Sequence, residues 1–131
     1  MAGVAFLCVA NSAQSQIAEA IARHLDPDLE VYSAGSHPSH VRPQVYTILN
    51  FNGMDSRGLR SKGLLEIPLG DVDVAVVLCA EEECPLLPAH VKRLSWPLPD
   101  PTFYPDDELK DAFQATFDEL MRRIPPLLKT L

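Results

Sequence analysis

The first chemically suggestive residues lie where the chain's first apolar run ends. The run Gly-Val-Ala-Phe-Leu ends at Cys8, a short polar segment follows, and an amphipathic pattern begins by Ile17. This order predicts a strand, a tight loop and a helix. Backbone N–H groups in a loop that opens a helix converge on one point, and the helix dipole adds positive partial charge there. The loop is therefore expected to bind a tetrahedral oxyanion beside Cys8.

Cys8 is the candidate nucleophile of this loop. Cysteine reacts as its thiolate, and the donors around a helix N-terminus favour that form. Ser15 is close enough in sequence to donate a hydrogen bond to the sulfur. The alternative is a small buried cysteine at the end of a core strand, which is the commoner role of an arbitrary cysteine. The position of Cys8, first in a loop that starts a helix, favours the chemical role.

A second apolar run ends in the same way, at Cys79, and Cys84 follows it. Strands separated by helical connections form a parallel sheet, whose carboxyl ends meet at one edge. We therefore expect Cys8 and Cys79 at the same edge. A zinc site on the second and third cysteines is poorly supported, because no further pair of ligands completes four.

The elements that must position these residues follow from periodicity and turn signals. Further predicted elements are strands over 29–34, 72–78 and 92–96, a helix from near Pro43 to the Asn52-Gly53 stop, and a long final helix that Asp106 or Asp107 caps. Pro125 and Pro126 are expected to end or kink that last helix.

Length, composition and charge limit the class of protein. The 131 residues, 47% hydrophobic and 22% charged, predict one domain over 1–131. A net charge of -7 gives no support to a nucleic-acid or membrane partner. The first apolar run has no basic residues before it and is short, so we expect a cytoplasmic protein. Three cysteines in a reducing compartment fit reversible thiol chemistry, with three unrelated buried thiols as the alternative. We also expect a monomer.

Two charged clusters have open interpretations. The basic trio in 56–63 is either a solvated loop or a rim that attracts an anion, and the acidic trio in 81–83 is either an exposed helix start or a contact for a partner. Their residues are Arg57, Arg60 and Lys62, and Glu81, Glu82 and Glu83.

The segment Cys8-x-x-Asn11-x-x-Gln14-Ser15 resembles the anion-binding loop of the low-molecular-weight tyrosine phosphatase superfamily. The flanking Asn-Ser-Ala-x-Ser-Gln-Ile-Ala-Glu-Ala looks like its thioredoxin-coupled arsenate reductase branch. One position departs from the family's loop sequence, because Gln14 stands where the family has arginine. A guanidinium carries full charge on a planar fork, whereas a carboxamide offers two neutral N–H groups. Losing an arginine that binds the oxyanion in this way lowers the rate of catalysis roughly 100- to 1000-fold.

This resemblance implies a fold and a set of site residues. The fold is a three-layer, flavodoxin-like α/β domain, whose four-stranded parallel sheet has the order 2-1-3-4 with helices on both faces. Asp100, in the Leu-Pro-Asp-Pro segment, is implied as the general acid. Cys79 and Cys84 are implied as a redox relay. The implied oxyanion-binding residues are Asn11, Ser12, Ala13, Gln14 and Ser15.

The function that the resemblance implies is reduction of arsenate to arsenite. Cys8 attacks arsenate, Cys79 and Cys84 pass on the oxidation, and thioredoxin restores the thiols; neither a cofactor nor a metal is expected. The first alternative is a low-molecular-weight protein tyrosine phosphatase, which needs only Cys8 and Asp100. The second is a non-catalytic relative that binds a phosphate-like oxyanion, because of Gln14.

A cation site is also implied by the resemblance. Some reductases of this branch hold an alkali cation with Asn, Glu, Ser and Asp, and Asn11, Glu19 and Ser33 match three of these positions. Lys62 stands at the fourth. Its ammonium is expected to replace the cation and pair with Glu19, which removes any potassium requirement. The sequence leaves open whether Arg42, Arg57 or Arg60 supplies the charge that the loop lacks.

Overall fold

A four-stranded parallel sheet forms the centre of the computed structural model, which describes residues 3–79 and 87–131. The strands are β1 (Gly3–Cys8), β2 (Glu30–Gly35), β3 (Val74–Val77) and β4 (Lys92–Ser95), and they lie in the order β2-β1-β3-β4. All three strand pairs are parallel, so the predicted order and direction are confirmed. Cys84 and the acidic trio Glu81, Glu82 and Glu83 lie outside the described residues.

Side chains of β1 alternate between two cores. Val4 and Phe6 pack on one face of the sheet, and Ala5 and Leu7 pack on the other. All four are fully buried, as expected for the central position of a parallel sheet. Cys8 lies on the same face as Val4 and Phe6, so the pleat of β1 places its sulfur on the side of the larger of the two hydrophobic cores.

Helices cover both faces of the sheet. The three α-helices are α1 (Gln14–Leu25), α2 (Pro43–Phe51) and α3 (Leu109–Leu128), and all three contribute to the larger core. Two short 3-10 helices, Leu64–Glu66 and Leu69–Asp71, flank the smaller core. In the described part of the chain, no helix is long and apolar enough to cross a membrane.

The last helix starts differently from the sequence prediction, and it does not end at its two prolines, which was one of the two outcomes expected for them. Neither Asp106 nor Asp107 caps it, because both lie in a 3-10 turn, Asp106–Glu108, that leads into the helix. Pro125 and Pro126 lie inside it rather than ending it. A proline inside a helix costs about 3 kcal/mol. Burial of Leu127, worth about 1.5 to 3 kcal/mol, offsets part of the cost of the two prolines and keeps the last turn on the core.

Gly35 lets the loop after β1 lie directly against the end of β2. A Cβ on Gly35 would lie 2.3 Å from the Val9 carbonyl oxygen and 2.8 Å from the Asn11 nitrogen. Both distances are too short for any side chain. The loop that carries the candidate nucleophile therefore depends on glycine at this neighbouring strand end.

Candidate active site

The Cys8 sulfur accepts hydrogen bonds in the loop that joins β1 to α1. Its Sγ lies 3.2 Å from the Asn11 backbone nitrogen and 2.9 Å from Ser15 Oγ. Ser15 Oγ also accepts a bond of 2.7 Å from Asn11 Nδ2, which leaves its own hydrogen to donate to the sulfur. Two donors therefore converge on Cys8. Both hold the sulfur in a fixed position in the loop.

Asn11 is the hub that holds the loop from behind. It has a φ of 49°, the left-handed conformation that asparagine tolerates better than most residues. Besides Ser15, its side chain donates to Ser33 Oγ at 3.0 Å and accepts from the Lys62 backbone nitrogen at 2.8 Å. Asn11 is fully buried, so these bonds replace water entirely.

Behind Asn11 lies a buried ion cluster, which confirms the predicted pairing of Lys62 with Glu19. Lys62 Nζ lies 3.5 Å from Glu19 Oε1, and Ser33 donates to the same oxygen at 2.6 Å. The other Glu19 oxygen pairs with Arg23 at 2.8 Å. Burial lowers the pKa of Lys62, and the Glu19 carboxylate opposes that shift. We call Asn11, Glu19, Ser33 and Lys62 the rear network; the absence of a potassium requirement stays a prediction.

Gln14 uses its amide hydrogens within the protein. Its Nε2 donates to the carbonyl oxygens of Leu98 at 2.9 Å and Pro99 at 3.1 Å. An amide nitrogen has two hydrogens, so both are occupied. Gln14 therefore does not direct a side-chain donor toward an anion. It ties the first turn of α1 to the segment that precedes Asp100.

Asp100 follows the segment that Gln14 binds, and it lines a cleft that also contains Cys8. Its Oδ1 accepts from the Thr102 backbone nitrogen at 2.8 Å and from Thr102 Oγ1 at 2.6 Å. Its Oδ2 accepts no hydrogen bond from the described residues. This arrangement fixes the carboxyl group through one oxygen and leaves the other able to carry a proton.

A cleft of about 500 Å³ brings these groups together. Among its lining residues are Cys8, Ser12, Ala13, Gln14, Cys79 and Asp100. Asn11 and Ser15 do not line the cleft, and both are fully buried. Cys79 follows β3, the strand beside β1, so the expectation that the two cysteines share one sheet edge is confirmed.

The basic residues Arg57 and Arg60 do not form a rim on this cleft. Arg57 pairs with Asp55 at 3.0 Å, and Arg60 pairs with Glu66 at 3.0 Å. Hydrogen bonds from Arg57 lower the pKa of Asp55 to about 2. Neither arginine is among the residues that line the cleft. The solvated-loop interpretation fits these two residues.

From the segment before α2, sequence analysis named only Arg42, as one of three possible sources of the missing charge. In the structure Ser39, His40 and Arg42 all line the cleft. The Ser39 nitrogen donates to the Ala10 carbonyl at 3.2 Å, and the Arg42 nitrogen donates to the Ser12 carbonyl at 2.9 Å. No motif signals these contacts, because they join segments about 30 residues apart in the chain.

The assembled groups support nucleophilic chemistry on an oxyanion. A thiol lies beside an anion-binding loop, a carboxyl group can protonate a leaving oxygen, and a second thiol lies in the same cleft. Within residues 3–79 and 87–131, no group of three or more His, Cys, Asp or Glu side chains could hold a metal ion.

Comparisons with known proteins agree with this geometry. A family model described as low molecular weight phosphotyrosine protein phosphatase matches residues 3–131. An arsenate reductase from Shouchella clausii is 37% identical over 131 residues, covering 95% of this chain and 94% of the relative. One from Bacillus subtilis is 33% identical, with the same coverage. A solved arsenate reductase in the phosphate binding state has a TM-score of 0.83 at 28% identity, covering 99% of this chain and 98% of that one.

Proposed function

The chain belongs to the low molecular weight phosphotyrosine protein phosphatase family, and within that family we propose that it is an arsenate reductase. Its relatives from Shouchella clausii and Bacillus subtilis carry that name at 37% and 33% identity. We propose further that the electrons for arsenate reduction come from the protein's own thiols, and that thioredoxin reduces the disulfide that they form.

One observation carries the choice of reductase over phosphatase. Cys79 lines the same cleft as Cys8 and Asp100, at the end of the neighbouring strand. Hydrolysis of a phosphate ester needs only the nucleophile and the acid, and has no use for a second thiol. Reduction of arsenate needs two electrons, and a pair of thiols supplies them by forming a disulfide.

The first step forms a bond between sulfur and arsenic. The Cys8 thiolate attacks arsenate in the loop, and an oxygen of the arsenate leaves as water after Asp100 donates a proton to it. The hydrogen bonds from Asn11 and Ser15 hold the sulfur in place for attack. The product is an arsenic(V) thioester on Cys8.

The second step moves electrons onto arsenic. The Cys79 thiolate attacks the Cys8 sulfur, a disulfide forms, and the electron pair of the sulfur–arsenic bond stays on arsenic, which leaves as arsenite. Cys84 then attacks Cys79 and releases the Cys8 thiolate. The resulting disulfide between Cys79 and Cys84 is reduced by thioredoxin through thiol exchange.

NADPH consumption in the presence of arsenate, thioredoxin and thioredoxin reductase tests this proposal. We expect steady NADPH consumption by the native chain and none by Cys8→Ser. Cys84→Ser should release one equivalent of arsenite without consuming NADPH, because it stalls at the disulfide between Cys8 and Cys79. Normal turnover by Cys84→Ser would refute the relay. Hydrolysis of para-nitrophenyl phosphate without arsenate reduction would favour the phosphatase, and oxyanion binding without any turnover would favour a non-catalytic relative.

A further inference from the structure

The oxyanion site lacks the charge that its chemistry calls for. Gln14 occupies the position at which the family has arginine, and both of its amide hydrogens bond to backbone carbonyls of Leu98 and Pro99. The loop's backbone donors and the dipole of α1 remain, but these are partial charges. A tetrahedral anion with two negative charges is held far better when a full cation faces it.

Other cations near the loop are already paired. Arg57 and Arg60 form ion pairs with Asp55 and Glu66 away from the cleft. Lys62 is held in the rear network, and its Nζ also donates to the Arg60 carbonyl at 2.7 Å. None of the three lines the cleft. Each would have to break an existing ion pair to reach an anion bound there.

Arg42 is in a different situation. It is the only lysine or arginine among the described residues that line the cleft. Its backbone nitrogen donates to the Ser12 carbonyl at 2.9 Å, which fixes its Cα against the anion-binding loop. Its guanidinium forms no ion pair with the described residues. Its Nε is buried and has no hydrogen-bond partner among them.

An unpartnered buried donor is unfavourable unless an acceptor arrives. Leaving such a group unsatisfied costs about 1 to 3 kcal/mol, and more for a charged group. Proteins therefore rarely bury a guanidinium nitrogen without a role. Among the described residues that line the cleft, Asp100 is the only carboxylate; its Oδ1 is bonded to Thr102, and neither of its oxygens is hydrogen-bonded to Arg42. The missing acceptor is best supplied by a bound oxyanion.

We propose that Arg42 is the oxyanion-binding residue that replaces the loop arginine of the family. Its guanidinium enters the site from the segment before α2, whereas the family's arginine enters from the loop itself. Gln14 and Arg42 thus have separate roles. Gln14 binds the segment before Asp100 to the loop, and Arg42 supplies the positive charge that faces the oxyanion. The ligand class is a tetrahedral oxyanion, phosphate or arsenate; that arsenate is the substrate rests on the proposed function.

Protection of Cys8 by inorganic phosphate tests this without relying on turnover. The full chain is treated with iodoacetamide at increasing phosphate concentration, and alkylation of the Cys8 peptide is followed by mass spectrometry. A bound oxyanion shields the sulfur and slows its alkylation. We expect the phosphate concentration for half protection to rise about 10- to 100-fold in Arg42→Ala, and less in Arg42→Lys, which keeps the charge but loses the fork.

Arg57→Ala is the matched control, because it also removes an arginine, but one that pairs with Asp55 and does not line the cleft. Its half-protection concentration should equal that of the native chain. Gln14→Arg in the Arg42→Ala background should restore protection, since it returns the charge at the family position. Circular dichroism melting of each variant confirms that it is folded.

The outcomes separate this inference from the proposed function. Equal protection of the native chain and a folded Arg42→Ala variant overturns the role of Arg42 and leaves arsenate reduction standing. Protection that is absent from the native chain, by phosphate and by arsenate alike, overturns both. Protection lost in Arg42→Ala, with no arsenate turnover by the native chain, supports the oxyanion role and rejects the reductase.

Discussion

The two sides of the loop after β1 are built differently. Behind it, the rear network joins Asn11, Ser33, Glu19 and Lys62 through hydrogen bonds and ion pairs, and all of them are buried. In front of it, Cys8, Asp100 and Arg42 line the cleft. The four members of the rear network bond to one another, whereas on the front side Asp100 Oδ2 and Arg42 Nε have no hydrogen-bond partner among the described residues.

This difference separates stability from chemistry within one short segment. A satisfied buried network fixes a single backbone conformation, and a missing member leaves buried groups without partners. The front groups contribute little to folding, so their identity can change while the loop stays in place. The presence of Gln14 where the family has arginine is a change of this kind. Substitutions on the two sides should therefore affect different measurements.

The largest effect is expected for Asn11 on the rear side. Asn11→Ala removes every side-chain bond of the hub and places alanine at a positive φ, so we expect a loss of about 3 to 5 kcal/mol in the free energy of unfolding. Asn11→Gly loses the same bonds without the backbone strain and should be the less destabilised of the two. Urea denaturation measures both. Equal stability of the alanine and glycine variants would show that strain at this position is negligible.

A smaller effect is expected for Lys62. Lys62→Met keeps the aliphatic length but leaves the buried Glu19 carboxylate with Arg23 as its cation partner. We expect a loss of about 1 to 3 kcal/mol, less than for breaking a fully buried pair, because Arg23 remains. Thermal melts in potassium and sodium chloride check the cation prediction. Potassium should stabilise Lys62→Met more than the native chain; an equal response would contradict replacement of the cation by the ammonium.

The smallest effect is expected for the Gln14 tether, and it should appear in turnover rather than in stability. Gln14→Met has a similar length and cannot donate to the Leu98 and Pro99 carbonyls. Two neutral hydrogen bonds are worth about 1 kcal/mol each, so kcat for arsenate should fall by up to roughly 30-fold as the Asp100 segment loosens. The phosphate concentration that half-protects Cys8 should stay near the native value. A large rise in that concentration would place Gln14 on the anion instead.

Much of the fold follows from local sequence. The alternating apolar residues of β1, the polar loop and the periodic α1 predict a strand, a turn and a helix because these signals act within a few residues. Pro43 and the Asn52-Gly53 pair likewise bound α2. The differences from the prediction fall at the last helix, which follows a 3-10 turn instead of an Asp106 or Asp107 cap and continues through Pro125 and Pro126 to a buried Leu127.

The sequence alone determined the chemical groups of the site and the edge of the sheet at which they meet. Cys8 and Cys79 could be assigned because each lies at the end of an apolar run, whereas Asp100 was assigned through the family resemblance of its Leu-Pro-Asp-Pro segment. Only the tertiary structure showed what Gln14 bonds to and that Arg42 lines the cleft. Gln14 reaches carbonyls 84 and 85 residues away, and Arg42 reaches a cleft walled by four separate segments. Such roles depend on which distant backbone lies within hydrogen-bond distance, and no local pattern of residues encodes that distance.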